Sequence, residues 1–243
     1  ILRRGANANA KDSSGSTPLL YAAGRFHGEE SVLVLLKAGA DPNVRNSRSE
    51  TPLLAATKYE YTAKSALALL QHGANPNVKD AKGKTPLLLA ARSFPLDVLT
   101  ALIEKKADAN AQDEDGNTPL MEAAKARGGA ARCELLLQHG ANPNLQDKRG
   151  RNALIESILH GSEPSEVVRL LLAGGANRDL KDEEGKTALM YAKEKGYDSI
   201  LKAFQPKDAA AEREEWFRKG TEAKEPAEKA NWYRKAADAG HPG

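Results

Sequence analysis

The stretch NTPLMEAA, Asn117 to Ala124, decides how this chain folds, because near-copies of it stand all along the sequence. STPLLYAA begins at Ser16, ETPLLAAT at Glu50, KTPLLLAA at Lys84, RNALIESI at Arg151 and KTALMYAK at Lys186. Their second residues fall at 17, 51, 85, 118, 152 and 187, separated by 34, 34, 33, 34 and 35 positions. A second motif keeps the same beat: GANAN from Gly5, GADPN from Gly39, GANPN from Gly73, KADAN from Lys106, GANPN from Gly140 and GANRD from Gly175. Two motifs locked in phase at this period mark a solenoid, in which each unit buries its apolar face against the next.

Each unit reads as two helices and a turn. Thr17, Thr51, Thr85 and Thr118 are placed to cap an inner helix. The proline that follows each of them, Pro18, Pro52, Pro86 and Pro119, takes the first helical position, where a missing N–H costs nothing. Asn152 and Thr187 keep the cap but precede Ala153 and Ala188, which predicts less rigid starts. A second apolar run, such as VLVLLKAG (32–39), supplies an outer helix ending at a glycine suited to a left-handed cap. Lys106 stands where that glycine belongs, which predicts local strain. From Gly39, Gly73, Lys106, Gly140 and Gly175 to the next cap is always 12 residues. The segment between the helices varies instead, which predicts an edge that touches nothing inside the array.

These residues resemble the ankyrin repeat family, whose units carry a turn with Asp and Gly, then Thr-Pro-Leu-His, two alanines and a second helix. The turns Asp80–Gly83, Asp113–Gly116, Asp147–Gly150 and Asp182–Gly185 match, and Asn46–Ser49 departs. The family's histidine is replaced by Leu20, Leu54, Leu88, Met121, Ile155 and Met190, which implies less rigid fingers with the same stacking. The resemblance covers roughly residues 1–204. It implies an all-α, L-shaped stack whose concave surface of inner helices and fingers grips partner proteins. The boundaries follow: a partial first repeat at 1–11, then six units starting near 12, 46, 80, 113, 147 and 182.

Beyond Phe204 the beat stops, and 205–243 reads as a helical hairpin around Pro226. KANWYRKAADAGHPG (229–243) resembles the tetratricopeptide class, most closely the Sel-one-like repeat, with Trp216, Phe217, Trp232 and Tyr233 placed to pack between the helices. Two readings stand: a cap on the last repeat, or the start of a second repeat domain. At the other end, ILRRGANAN (1–9) matches LLKAGADPN (35–43), so the sequence opens inside a repeat and upstream targeting is not visible.

Composition narrows the chemistry. Among the 243 residues 5% are aromatic, so Leu and Ala supply most of the core. No run of about 18 apolar residues is present. A net charge of +3 does not by itself imply nucleic acid. The single Cys133 allows no intramolecular disulfide, is compatible with a reducing compartment and reads as a buried apolar thiol. His72 and His139 follow the repeat and read as turn or surface residues. Together with His27, His160 and His241 they form no metal-ligand spacing. No phosphate loop, dinucleotide glycine pattern or nucleophile elbow occurs, so no cofactor, metal or catalytic residue is assigned.

What remains is a pattern across repeats. Lys58, Arg92 and Lys125 stand one repeat apart after the inner helix, with Arg25 one position later in its own unit. Beside them lie Phe26, Tyr59, Tyr61, Phe94 and Arg127, while Tyr21 and Tyr191 hold the position of Glu122 and Glu156. Stacking predicts a column of cations beside aromatics along the concave side, with Arg92 and Lys125 exposed. Such a column suits an acidic or mixed-charge segment of another protein, although cations also gather at helix C-termini for the dipole alone. Finger residues Arg48, Lys82, Lys84, Arg149 and Arg151 are interrupted by Glu114 and Asp115, a mixed sign that argues against DNA.

Three functions fit this reading. The first is a non-catalytic protein-interaction scaffold. The second is the targeting arm of a larger secreted bacterial effector or enzyme, because ankyrin units joined to a Sel-one-like segment resemble bacterial proteins, some delivered into host cells. The third is a binder of small anions or nucleic acid through the Arg25–Lys125 column, recognisable by a steep salt dependence. Cytoplasmic residence and export both remain open.

Overall fold

Six inner helices begin where six polar caps stand. The hydroxyls of Thr17, Thr51, Thr85, Thr118 and Thr187 accept the amide three residues on at 3.2–3.3 Å, and Asn152 Oδ1 accepts that of Ile155 at 3.0 Å. The computed structural model describes residues 6–161 and 164–204, together with 218, 219, 221, 222 and 232. Inner and outer helices alternate as α1 (Pro18–Ala23) and α2 (Glu29–Lys37), then α3 (Pro52–Ala56) and α4 (Ala63–Gln71). They continue as α5 (Pro86–Ala90) and α6 (Leu96–Glu104), α7 (Pro119–Lys125) and α8 (Ala130–Gln138), α9 (Ala153–His160) and α10 (Pro164–Ala173). The series ends with α11 (Ala188–Glu194) and α12 (Asp198–Phe204). Among the described residues no strand forms, and the one β-type pairing is an isolated bridge between Lys181 and Thr187.

Leu19, Leu53, Leu87, Leu120 and Leu154, one in each of the first five inner helices, are 0–1% exposed, and the outer helices packed against them bury Val32, Leu69, Leu99, Cys133, Leu136 and Val168 to the same degree. Each such side chain contributes about 1.5–3 kcal/mol by leaving water. The alanines pack the helices closely: a Cβ added at Gly24 would stand 3.6 Å from Ala55 Cβ of the next unit, at contact distance.

Polar side chains tie neighbouring units together just as regularly. Asn43 Nδ2 donates to the Gly73 carbonyl at 3.0 Å, and its Oδ1 accepts the Asn75 amide at 2.8 Å. Asn9, Asn77, Asn110 and Asn144 make the same two bonds to the following unit, at 2.7–3.1 Å. Asp179, at the equivalent place one unit on, has no side-chain N–H to donate, and Asn144 makes the last of these pairs among the described residues. A parallel ladder runs through Arg45, Lys79, Gln112 and Gln146, each donating to a carbonyl one unit on. These bonds account for the constant 12-residue segment.

The fingers pair through their backbones. Ser47 N, Glu114 N, Lys148 N and Glu183 N donate to Ser14, Lys82, Asp115 and Arg149 carbonyls at 2.8–3.0 Å. Gly116 and Gly150 make this approach possible, since a Cβ on either would stand 2.8–2.9 Å from the Cα of Asp147 or Asp182. Ser49 occupies the same place with φ +62°, and among the described residues no backbone bond joins its finger to the next. A cavity of about 280 Å³ lies there instead, lined by Arg48, Glu50 and Lys58 on one side and Asp80 and Lys82 on the other.

The strain predicted at Lys106 is present, with φ +67° where Gly39, Gly73, Gly140 and Gly175 take +80° to +88°. A side chain in this region costs about 1–2 kcal/mol, and glycine returns part of that as extra entropy of the unfolded chain. Lys106→Gly is therefore expected to stabilise the array by about 1 kcal/mol. Its carbonyl, which accepts from Asn77, is unaffected. A higher urea midpoint at unchanged slope is the readout.

The variable edge is not free of the array, contrary to the expectation from its lengths. Arg132 of α8 donates back to the carbonyls of Ser93 and Phe94, at 3.4 and 3.0 Å. Phe94 itself turns inward and is 0% exposed.

The chain divides into two compact units, Ile1–Ile200 and Leu201–Gly243, so the division falls within α12 rather than after Phe204. The hairpin expected over 205–243, with its Sel-one-like motif and Trp216, Phe217 and Tyr233, lies outside the described residues except at five helical positions. There Lys219 Nζ stands 5.1 Å from the Trp232 ring centroid, and the Thr221 hydroxyl donates to the Arg218 carbonyl at 2.6 Å.

Candidate functional site

The inner helices are so short that a long side chain at the end of one reaches back to its own finger. Lys58 pairs with Glu50 in this way, and Lys125 Nζ lies 3.5 Å from Asn117 Oδ1. Residues from the helix ends and the fingers therefore line common depressions. Arg25, Tyr21, Lys58 and Tyr59 share one of about 230 Å³ with Arg48 and Glu50. Lys58 reappears beside the third finger. Arg92 and Lys125 border another, of about 510 Å³, with the fifth finger.

Arg25 and Lys58 line one depression and Arg92 and Lys125 another, and they are not a column of free charges. Lys125 Nζ sits 3.0 Å from Glu122 and 3.3 Å from Glu156, with only 13% of its side chain exposed. The expectation that Lys125 is exposed like Arg92 is thereby corrected: two acids of α7 and α9 enclose it. Arg92 stays open, its side chain 62% exposed and 3.9 Å from Glu122. Arg151 extends the network to the next unit, 3.8–3.9 Å from Glu156, Asp182 and Glu184. Glu156 also lies 3.9 Å from His160 Nε2. Alternating signs, carried across four units, replace a run of like charge.

Two aromatic expectations change as well. Phe94 belongs to the core and leaves the candidate surface. Tyr191 does not face the groove: it is buried, and its hydroxyl donates to Asp182 Oδ2 at 2.5 Å. Burial, together with that carboxylate, pushes the Tyr191 phenol up to about 12. Burial opposes ionisation of Asp182, yet the Tyr191 hydroxyl, the Lys186 and Glu184 amides and the Arg151 charge outweigh it and hold the carboxyl below its ordinary range. The same pairing recurs in the first unit, where Tyr21 donates to Asp12 at 2.6 Å while its ring stays 54% exposed.

The remaining aromatics gather. Phe26, Tyr59 and Tyr61 are 66%, 52% and 46% exposed, on the loops joining α1 to α2 and α3 to α4. Tyr59 and Tyr61 stack with parallel rings 5.2 Å apart, and Phe26 meets Tyr61 edge-on at 5.4 Å. His27 adjoins Phe26 at 3.9 Å, on a backbone with φ +57°. Arg25 is exposed beside them and makes no ion pair among the described residues. Arg127, also exposed, likewise makes none, but it stands two units away.

Other candidate groups have structural employment. Cys133 is 0% exposed, and burial pushes its thiol up to about 12, which removes the thiolate a nucleophile needs. His72 and His139 place Nδ1 at 2.8 Å from the Ala68 and Leu135 carbonyls, closing the last turns of α4 and α8. Among the described residues no group of three or more His, Cys, Asp or Glu is placed to hold a metal ion, and no helix is long and apolar enough to cross a membrane.

The sequence reading passed over Glu122, Glu156 and Arg151 as partners. The one local signal was the spacing of Glu122 and Lys125, three residues apart on one helix. The longer links appear only when consecutive units are superposed.

Comparison with known proteins agrees with this architecture. A family model described as ankyrin repeats (3 copies) matches over residues 1–80, 20–113, 53–147 and 120–213. An ankyrin repeat domain from Acinetobacter baumannii AYE, known as a crystal structure, is 31% identical with a TM-score of 0.69. That alignment covers 76% of this chain and 95% of that one. The ankyrin repeat protein EF0377 is 28% identical with a TM-score of 0.69, over 79% of this chain and 98% of its own. None of the curated proteins matches.

Proposed function

This chain belongs to the ankyrin repeat family, and we propose on that premise that it is a non-catalytic interaction module. It grips a partner protein on the inner-helix side of the array, with Tyr21, Arg25, Phe26, Tyr59 and Tyr61 as the anchoring end. The observation that carries this reading is the concentration of exposed aromatic rings on two adjacent units. Aromatic side chains and arginine dominate the energetics of protein interfaces, because they bury much area for few frozen rotors. An array tied at every step by side-chain ladders presents them without reorganisation, which lowers the cost of association.

The charge pattern refines the partner. Arg25 has no counterion among the described residues, while Lys58–Glu50 and Lys125–Glu122–Glu156 are already paired. A segment of mixed charge with an acidic group near Arg25 complements such a surface better than a uniform polyanion.

The test is comparative capture. The triple variant Phe26→Ala/Tyr59→Ala/Tyr61→Ala is expected to lose a bound protein at least roughly 30-fold, the equivalent of one interface hot spot. Its melting temperature stays close to that of the parent, because all three rings are largely exposed. Purified partner binding both forms equally would show that the aromatic surface is not the anchor.

A further inference from the structure

We infer that the large polar cavity between the fourth and fifth fingers recognises a phosphoryl group on a side chain of the partner protein. The cavity, of about 510 Å³, is bounded by the ends of α5, α7 and α9 and by both fingers. Five cationic side chains line it against three carboxylates, with His160 at the margin. The two kinds of charge are unequally engaged. Asp147 Oδ1 is committed to the Arg149 and Arg151 amides at 2.9 and 2.8 Å, closing its own finger. Glu156 is committed to Lys125. On the rim, Lys148 and Arg149 are exposed and have no acid within 4.0 Å among the described residues, and Arg92 has Glu122 only at 3.9 Å.

The inner wall adds an unsatisfied donor. The Arg151 guanidinium lies 3.8–3.9 Å from three carboxylates, inside ion-pair range but too far for a direct hydrogen bond. Its Nε is buried and finds no acceptor among the described residues. A buried donor left in this state favours an incoming oxygen.

The chemistry of the occupant follows from the surplus. Lys148 and Arg149, the two lining cations that make no ion pair among the described residues, match the charge of about −1.5 to −2 that a phosphomonoester carries near neutral pH. A single carboxylate neutralises half of it. Arg92 and Arg149 supply planar donors that pair with phosphate oxygens in twos, as arginine clusters do in recognising phosphorylated motifs. The lining contains no Phe, Tyr or Trp ring and no apolar side chain, and its one imidazole, His160, stands at the margin 3.9 Å from Glu156, so the base of a nucleotide or nucleic acid has little to stack on. A phosphorylated peptide needs no such platform, because the rest of the array supplies its other contacts. The inference rests on the reading of the chain as a protein-binding array only for the macromolecule that carries the group.

A titration of the full chain followed by ¹H–¹⁵N spectra tests it, with a capped Gly-Gly-phosphoserine-Gly-Gly peptide as probe. Saturable shifts are expected at the Lys148, Arg149 and Arg151 amides, with the serine peptide inert and the glutamate peptide at least tenfold weaker. Arg92→Ala/Arg149→Ala should weaken the phosphopeptide at least tenfold at an unchanged melting temperature, since both side chains are exposed. Lys105→Ala, at the end of the outer helix α6, should leave binding intact. Shifts that are absent, spread over the basic residues of the whole array, equal for glutamate and phosphoserine, or untouched by the double variant overturn the inference. The probe carries no aromatic-binding sequence, so the cavity can fail here while the Phe26–Tyr61 surface stands, and the converse holds for the capture experiment.

Discussion

Phe94→Ala is expected to lower the free energy of unfolding by about 3–5 kcal/mol, the range for deleting a fully buried phenylalanine. Phe94 is 0% exposed and is the largest of the fully buried side chains. Its amide closes the last turn beyond α5 on the Ala90 carbonyl at 3.0 Å, and its own carbonyl accepts Arg132 Nη2 at 3.0 Å. Removing the ring leaves a cavity that these bonds prevent from collapsing, so the cost belongs at the upper end of the range. Phe26 provides the internal control, because it occupies the same place in the first unit yet is 66% exposed. Phe26→Ala should change stability by no more than about 0.5 kcal/mol. Urea unfolding of the pair is the measurement. A Phe94→Ala midpoint equal to that of Phe26→Ala would place the ring outside the core and reopen it as a contact residue. Because neighbours in a solenoid support each other, the Phe94 variant should also show a reduced slope, as the third unit loosens before the rest.

Why one phenylalanine is buried and the other exposed marks the limit of what the sequence made legible. The helical pairs, their caps and their period were readable, because each is set by contacts repeated within every unit. Thr17 and its five counterparts, and the left-handed Lys106, came out as the local rules require. The variable loops follow no repeated rule. In the third unit the loop 91–95, closed by Pro95, turns Phe94 inward, while the first unit's loop of equal length, 24–28, with His27 at positive φ, holds Phe26 outward. The Arg45–Lys79–Gln112–Gln146 ladder was hidden for a different reason. Its members share only a long side chain ending in an N–H donor, a property that comparison of residue letters does not reveal. The site was half legible for the same cause: the cations could be aligned, whereas their acids stand at other positions of adjacent units.

Lys125→Glu is the sharper test of that network, and a loss of at least about 3 kcal/mol is expected. The substitution brings a third carboxylate towards Glu122 and Glu156, whose side chains are 15% and 5% exposed, and removes the charge that compensates both. Leaving partly buried ions unpaired costs about 3–5 kcal/mol, more than the intact pair contributes over an apolar substitute. Arg92→Glu reverses the same charge one unit earlier, but its side chain is 62% exposed and its acid is 3.9 Å away. An exposed pair of that kind contributes between about 0 and 1 kcal/mol, so Arg92→Glu should melt within a few degrees of the parent. Two cations that align in the sequence thus separate by environment: one presents its charge to solvent, the other holds α7 to α9. The swap Lys125→Glu/Glu156→Lys decides whether pairing or mere presence of lysine matters. Recovery of about half the loss or more shows that the fourth and fifth units are held together by opposite charge. A swap as unstable as Lys125→Glu alone, or a Lys125→Glu variant as stable as Arg92→Glu, would return Lys125 to the surface and to the set of side chains free to meet a partner.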